Sequence, residues 1–305
     1  MAAPEPVRAV TIRDVALRDG LQIEEPIGTD AKLELLQAIA ATGVREIEAT
    51  AFVSPSKVPA LADAPELATH LADYPGITFS ALVASPNGAR RAVDAGFTHL
   101  EYVVSAADGH SRANVGRDSA AATALISDVV AVARTAGAEV EVEVIIATAW
   151  DCPFDGPTPP DRVIDVVKSA VAEGAHRISI ADTIGTTTPR RVTELVELVS
   201  PLIGDLPLGA HFHNTRGTGL ASAYAAVQAG VSRLDASVGG LGGCPFAPGA
   251  SGNIATEDLT YLLRDCGIET GIDLSAAIHA GRIANGLVGS ESGSALMRAG
   301  DRKLD

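Results

Sequence analysis

The alternation of two kinds of segment is the feature that most limits the folds open to this 305-residue chain. Short apolar runs of β type recur eight times, and most are followed by a segment with helical spacing. Eight strand–helix units within about 265 residues are typical of a (β/α)8 barrel, the TIM barrel. The alternative, a doubly wound open sheet, is disfavoured because no Gly-x-Gly-x-x-Gly follows the first run. We therefore predict a single α/β domain, with the barrel over residues 8–270.

The boundaries of the predicted elements follow from turn residues. Many predicted helices end in a small residue followed by glycine, which suits a helix that turns back into the next strand. Residues 271–305 have a helical pattern without a matching strand, so we expect an extra C-terminal helical segment packed on the barrel. The eight predicted strands are Val10–Val15, Glu46–Thr50, Ile77–Val83, His99–Ser105, Val140–Ala147, Arg177–Ala181, Leu208–His213 and Arg233–Val238.

Composition excludes several classes of function. A hydrophobic content of 47% allows a large core, whereas a net charge of −15 argues against a nucleic-acid-binding protein. Three cysteines without zinc-type spacing indicate free thiols rather than disulfides. We find no apolar run that reads as a membrane span and no secretory signal, so we expect a cytoplasmic protein without a membrane partner. Assembly into a homodimer or larger homo-oligomer stays open, by analogy with other barrels.

The motif His211-x-His213 indicates a metal site. Both histidines lie on one face of the seventh predicted strand, because side chains two residues apart in a strand point the same way. Asp19 follows the first predicted strand, and Asn253 ends a glycine-rich loop after the eighth. The carboxyl ends of barrel strands meet at one face, where these four groups would supply two nitrogen and two oxygen donors. That set suits a six-coordinate divalent cation such as Mg²⁺ or Mn²⁺, while zinc stays open.

Further reactive side chains fall at the same predicted face. Arg18 precedes Asp19, Glu48 lies in the second strand, and Asp182 follows the sixth. Arg18 offers a fixed positive charge for a developing enolate oxygen, or a structural salt bridge to Glu48 or Asp182. Cys244 lies in the glycine-rich loop, which can close over a site and bring a thiol to it. A buried, unreactive thiol is the alternative for Cys244.

Together these segments resemble the 3-hydroxy-3-methylglutaryl-CoA (HMG-CoA) lyase family. The likeness runs in the family's order from Val10 to Gly271. The cysteine-bearing glycine loop points to the lyase branch rather than to the Claisen-type synthases, which share the Arg-Asp-Gly and His-x-His motifs. The segments that carry the resemblance are Arg18-Asp19-Gly20-Leu21-Gln22, Glu48 to Pro55, Asp182-Thr183-Ile184-Gly185, His211-x-His213, Gly240 to Pro245 and Gly249 to Asn253.

The resemblance implies a metal-dependent retro-Claisen cleavage of a 3-hydroxyacyl-CoA, the expected partner molecule, to acetyl-CoA and a keto acid. For HMG-CoA the keto acid is acetoacetate. By the resemblance, Arg18 stabilises the enolate of acetyl-CoA and Cys244 helps to protonate it. Asp182, with His211 nearby, is the candidate base for the hydroxyl proton, and Glu48 orients Arg18 or a group on the metal. The implied metal ligands are Asp19, His211, His213 and Asn253.

Departures from the family pattern leave the substrate open. Leu17 stands where proline is usual, Ile23 where asparagine is common, and Asn214 where aspartate is usual. The segment Ser105 to His110 fits the family's loop after strand four only loosely. Another branched acyl-CoA such as citramalyl-CoA is therefore an alternative substrate. A condensing enzyme of the same barrel group and a catalytically silent barrel that serves as a binding module are the alternatives to a lyase.

Overall fold

Eight parallel strands close into a barrel in the computed structural model, which describes residues 8–243, 252–289 and 293–303. Around the barrel the strands follow the order β1-β10-β9-β8-β5-β4-β3-β2, and a two-stranded hairpin, β6–β7, lies apart from it. The predicted TIM barrel is thus confirmed. The strands are β1 Thr11–Asp14, β2 Glu46–Phe52, β3 Thr78–Val83, β4 His99–Ser105, β5 Glu141–Ala147, β6 Asp151–Cys152, β7 Gly156–Pro157, β8 Arg177–Asp182, β9 Leu208–Phe212 and β10 Arg233–Ala236.

Helices surround the barrel, and their apolar faces build the main core against the outer surface of the strands. In α7, for example, Val163, Val166, Val167 and Ala170 recur at helical spacing and are all buried. The helices are α1 Thr29–Ala40, α2 Ala64–Ala68, α3 Pro86–Asp94, α4 Asp108–Val115, α5 Ser119–Ala124, α6 Ile126–Ala136, α7 Pro160–Glu173, α8 Pro189–Ile203, α9 Gly219–Gln228, α10 Thr256–Asp265, α11 Leu274–Val288 and α12 Ala295–Ala299.

Charged side chains fill the middle of the barrel, where branched apolar residues are usual. Arg13 of β1 forms ion pairs with Glu101 of β4 at 2.8 Å and with Glu143 of β5 at 2.7 Å. It also forms a forked pair with Asp235 of β10, and Arg233 donates to Glu143 at 3.3 Å. All five side chains are buried, so each carboxylate depends on an arginine for compensation. This network was not among the features predicted from the sequence.

The chain after the barrel packs against the loop that follows β10. Helix α11 contacts α1 and the short 3-10 turn Val238–Gly240. The pairing of Ala9 with Glu269 brings the two ends of the barrel segment together. The C-terminal helices therefore support one side of the barrel mouth.

One stretch differs from the expectation about membranes. Ser119–Ala136 is long and apolar enough to cross a membrane by length and composition alone, a weak criterion that core helices of soluble proteins also meet. The expectation that no stretch would qualify is wrong by that criterion. In the structure the stretch comprises α5 and α6, and α6 buries Ile126, Val129, Val130 and Ala133 on one face. One face of α6 thus packs within the barrel layer, and 33% of the whole stretch is buried.

Candidate active site

A π-helical turn, Ala16–Gly20, positions the first two site residues at the barrel mouth. The turn is tied down by Asp14, which accepts a hydrogen bond from the Ala16 backbone N–H at 3.0 Å. The other oxygen of Asp14 accepts from the Val238 N–H at 3.0 Å, so the end of β1 is fixed to the turn after β10. Arg18 and Asp19 are both buried in this setting. Their side chains are therefore held by backbone geometry rather than by a mobile loop.

Asp19, His211 and His213 form a cluster that could hold a metal ion. One donor atom from each of the three buried residues lies within 4.8 Å of the others. The two imidazole rings are 5.0 Å apart between centroids, as expected for residues i and i+2 of a strand end. His213 Nε2 lies 3.7 Å from Asp19 Oδ2. The sequence-based grouping of these three residues is thus found in the structure.

Asn253 lies in the same cluster because it pairs with His213 in an antiparallel bridge. Its Nδ2 donates to Asp19 Oδ2 at 2.7 Å and to the Leu241 carbonyl at 2.9 Å. Its Oδ1 and His213 Nδ1 are buried and have no hydrogen-bond partner among the described residues. A half-turn of the amide would exchange Oδ1 and Nδ2 and bring an oxygen to Asp19. The resulting donor set, a carboxylate, two imidazoles and an amide oxygen, fits a divalent cation.

Arg18 bridges two carboxylates at the base of the mouth. Its Nη1 donates to Asp19 Oδ1 at 2.6 Å, and its Nε lies 2.5 Å from Glu48 Oε1. Burial opposes ionisation of Asp19, but Arg18, His213 and His211 together outweigh it and hold the pKa of Asp19 well below its usual range. Burial raises the pKa of Glu48, against the opposing effect of Arg18. Arg18 therefore forms the salt bridge to Glu48 that the sequence analysis left open.

His211 has a partner that the sequence analysis missed. Its Nδ1 lies 3.1 Å from Asp235 Oδ2, and the two residues are register partners in β9 and β10. Burial opposes protonation of His211, but the bond to Asp235 and the Asp19 charge raise its pKa above the ordinary value. Gln22, quoted only as part of a motif, donates to Asp19 Oδ1 at 2.7 Å. The signal for Asp235 was strand register, since it lies beside His211 only when β10 pairs with β9 in this register.

Of the remaining predicted site residues, Asp182 is bonded to a neighbouring loop, and Cys244 is not described by the structure. The Asp182 carboxylate accepts hydrogen bonds from the backbone N–H groups of Thr186 at 3.0 Å and Thr187 at 2.9 Å. Burial raises its pKa, an effect that those two bonds and the nearby His213 oppose. Asp182 thus anchors the loop before α8, and its carboxylate also interacts electrostatically with His213. Cys244 lies outside the described residues, in the gap at residues 244–251.

A cavity of about 910 Å³ opens above the cluster. Arg18, Asp19, His211 and His213 line its floor. Its walls from β3, β4, β5 and β8 are mainly apolar, with Leu82, Val103, Ile145 and Ala181 among the lining residues. Three basic side chains, which are exposed or half-buried, complete the lining: Lys57, Arg91 and Arg117. The cavity is within the size range of small-molecule sites, about 300–1,000 Å³.

Comparison with known proteins identifies the family. The HMGL-like family model matches residues 9–283. The chain is 41% identical to (R)-citramalyl-CoA lyase of Chloroflexus aurantiacus over 285 residues, which is 90% of this chain and 89% of that protein. It is 38% identical to hydroxymethylglutaryl-CoA lyase of Pseudomonas mevalonii over 276 residues, 90% of this chain and 91% of that one.

Solved structures agree with the sequence comparison. An HMG-CoA lyase from Acinetobacter baumannii, in complex with coenzyme A and 3-methylmalate, superposes with a TM-score of 0.91 and 39% identity, covering 97% of this chain and 96% of that one. A hydroxymethylglutaryl-CoA lyase from Pseudomonas aeruginosa gives the same TM-score at 34% identity, covering 96% and 98%. The predicted family and the prediction of an enzyme are confirmed. The chain belongs to the HMGL-like family of lyases.

Proposed function

We propose that this protein is a divalent-metal-dependent carbon–carbon lyase that cleaves HMG-CoA, or a closely related branched 3-hydroxyacyl-CoA, to acetyl-CoA and a keto acid. The observation that carries the proposal is the buried cluster of Asp19, His211 and His213 beside Arg18, at the floor of a cavity of about 910 Å³. These donors suit Mg²⁺ or Mn²⁺, with Asn253 as the fourth proposed ligand. When bound, the cation acts as a Lewis acid that lowers the pKa of the substrate hydroxyl.

The side chains around the cluster suit the steps of a retro-Claisen cleavage. Asp182 is the proposed base that takes the hydroxyl proton, and burial raises its pKa above the ordinary value for an aspartate. The bond between C2 and C3 then breaks, and its electron pair becomes the enolate of the thioester. Arg18, fixed by Glu48, stabilises the enolate oxygen. Cys244 is the proposed donor of the proton to the enolate carbon, which gives acetyl-CoA.

The charges that line the cavity support one direction of binding for an acyl-CoA. Lys57, Arg91 and Arg117 supply positive charge at the cavity lining in a chain whose net charge is −15. We infer that these side chains receive the phosphates of coenzyme A, while the acyl group reaches the floor. Arg91 is steadied for this role by stacking on the Phe52 ring, with its guanidinium carbon 5.5 Å from the ring centroid.

Citramalyl-CoA is the second candidate substrate. It differs from HMG-CoA by one methylene between the hydroxyl-bearing carbon and the carboxylate, and its keto product is pyruvate. The identity of 41% to (R)-citramalyl-CoA lyase supports it. Arg18 is the one arginine or lysine on the cavity floor among the described residues, and it already pairs with Asp19 and Glu48. A cation held by the cluster would therefore supply the positive charge for the carboxylate of either substrate. The apolar walls then receive the methyl branch.

A side-by-side assay distinguishes the substrates. Acetyl-CoA release is measured from HMG-CoA and from (R)-citramalyl-CoA with Mn²⁺, and the keto acid is identified as acetoacetate or pyruvate. The better substrate is the one with the higher kcat/KM. Release from neither substrate, in a protein that binds Mn²⁺, would reject both. Net formation of a hydroxyacyl-CoA from acetyl-CoA and a keto acid would instead support a condensing enzyme.

A further inference from the structure

We propose that Arg13 is a positioning residue for the metal ligand His211, acting through Asp235. The inference rests on the metal site of the proposed function but not on the identity of the substrate. It arises from the buried charge network in the middle of the barrel, directly beneath the cavity floor. Among the arginines of this network, Arg13 contacts the carboxylate that also holds the histidine.

Three side chains from adjacent strands form a continuous chain of contacts from Arg13 through Asp235 to His211, which we call the relay. Arg13 Nε donates to Asp235 Oδ1 at 2.9 Å, and Nη2 donates to Oδ2 at 3.0 Å, which is a two-point fork. The same Oδ2 lies 3.1 Å from His211 Nδ1. Strand register favours this contact, since Arg13 pairs with Asp235 across β1 and β10, and Asp235 pairs with His211 across β10 and β9.

The contact with Asp235 determines which imidazole nitrogen of His211 presents a free lone pair to the cluster. An ionised Asp235 holds the proton of His211 on Nδ1, so Nε2 is left as the donor atom for a metal. The carboxylate of Asp235 is buried, and the two-point fork from Arg13 supplies the positive charge that compensates it. The fork also fixes the plane of the carboxylate, which a single-point cation does not. Arg13 thereby sets both the tautomer and the orientation of His211.

The test is the Mn²⁺ affinity of the metal-stripped protein, measured by titration calorimetry without substrate. Asp235→Asn is expected to weaken Mn²⁺ binding roughly ten- to a hundredfold, the usual effect of removing a carboxylate behind a metal-bound histidine. Arg13→Lys keeps the charge but loses the fork, and we expect binding to weaken by about tenfold, within that range. The double variant, Arg13→Lys with Asp235→Asn, should lose no more Mn²⁺ affinity than Asp235→Asn alone, because both changes break the same relay.

Arg233→Lys is the matched control. Arg233 belongs to the same buried network and contacts Glu143 and Glu46, but no contact joins it to Asp235 in the described residues. Arg233→Lys should therefore leave Mn²⁺ affinity unchanged, although both lysine variants lower the unfolding temperature. Wild-type affinity in folded Arg13→Lys would overturn the proposal, as would equal weakening in both lysine variants.

A second variant covers a failure of Arg13→Lys to fold. Arg13→Gln combined with Glu101→Gln removes one charge of each sign from the network, so the buried net charge is unchanged. It should weaken Mn²⁺ binding as Arg13→Lys does, and unchanged affinity would overturn the proposal. A wild-type protein that binds no Mn²⁺ would also overturn it. A wild-type protein that binds Mn²⁺ but cleaves neither acyl-CoA would reject the proposed substrates and leave the relay supported.

Discussion

Replacing Arg18 with glutamine separates catalysis from metal binding. Arg18 is buried between Asp19 and Glu48, at 2.6 Å and 2.5 Å. Loss of one donor to a developing oxyanion costs about 2.7–4 kcal/mol, so kcat should fall roughly 10²- to 10³-fold. Mn²⁺ affinity should not fall, because a positive charge next to the cation site is removed while Asp19 is retained. Glu48, whose pKa burial already raises, can take up a proton, which limits the loss of stability.

The assay combines steady-state acetyl-CoA release with Mn²⁺ titration of the same preparation. Arg190→Gln is the control, since Arg190 lies on the surface of α8 and pairs only with Glu194 among the described residues. Arg18→Lys should keep more activity than Arg18→Gln, because it retains a charge but not the bridging geometry. A fall in kcat of less than about fivefold (about 1 kcal/mol) would refute the role in enolate stabilisation. A parallel loss of Mn²⁺ affinity would show that Arg18 only maintains Asp19.

Three further changes test separate parts of the site. Gly242→Ala should abolish tight Mn²⁺ binding in calorimetry, because a Cβ there lies 2.5 Å from Asn253 Nδ2; unchanged affinity would contradict the assigned cluster. Arg117→Gln should raise KM for acyl-CoA severalfold and leave kcat near wild type, and an unchanged KM would exclude Arg117 from CoA binding. Burial raises the pKa of Glu257 to about 7, so the folded state favours the protonated side chain. The free energy of unfolding should therefore fall as pH rises from about 4.5 to 7. Glu257→Gln should flatten that dependence in urea unfolding, and an unchanged slope would contradict the burial argument.

The sequence was sufficient for the barrel and for most of the cluster because both depend on local periodicity and on strand order. The alternation of strands and helices leaves few topologies. The spacing of His211 and His213 then fixes their common face, and the position of Asp19 after β1 brings it to the same mouth. The closed strand order and the three-residue cluster agree with that reasoning.

The supporting residues were less accessible because they depend on register and on side-chain geometry across strands. Arg13 and Asp235 are far apart in the chain and become neighbours only when β1 pairs with β10. Charged residues inside a barrel also run against the usual apolar filling, so composition gives no signal for them. The link between Asn253 and His213 is a single bridge beside a loop, which no periodicity reveals.

The central claim is that a divalent cation held by Asp19, His211 and His213 is required for carbon–carbon cleavage. The most direct measurement is acetyl-CoA release from HMG-CoA and (R)-citramalyl-CoA by metal-stripped protein, titrated with Mn²⁺, for wild type, Asp19→Ala and the exposed-site control Asp73→Ala. We predict that release from at least one substrate is restored by one equivalent of Mn²⁺ in wild type and Asp73→Ala, and is absent in Asp19→Ala. Release that persists in EDTA, or that survives in Asp19→Ala, would contradict the account.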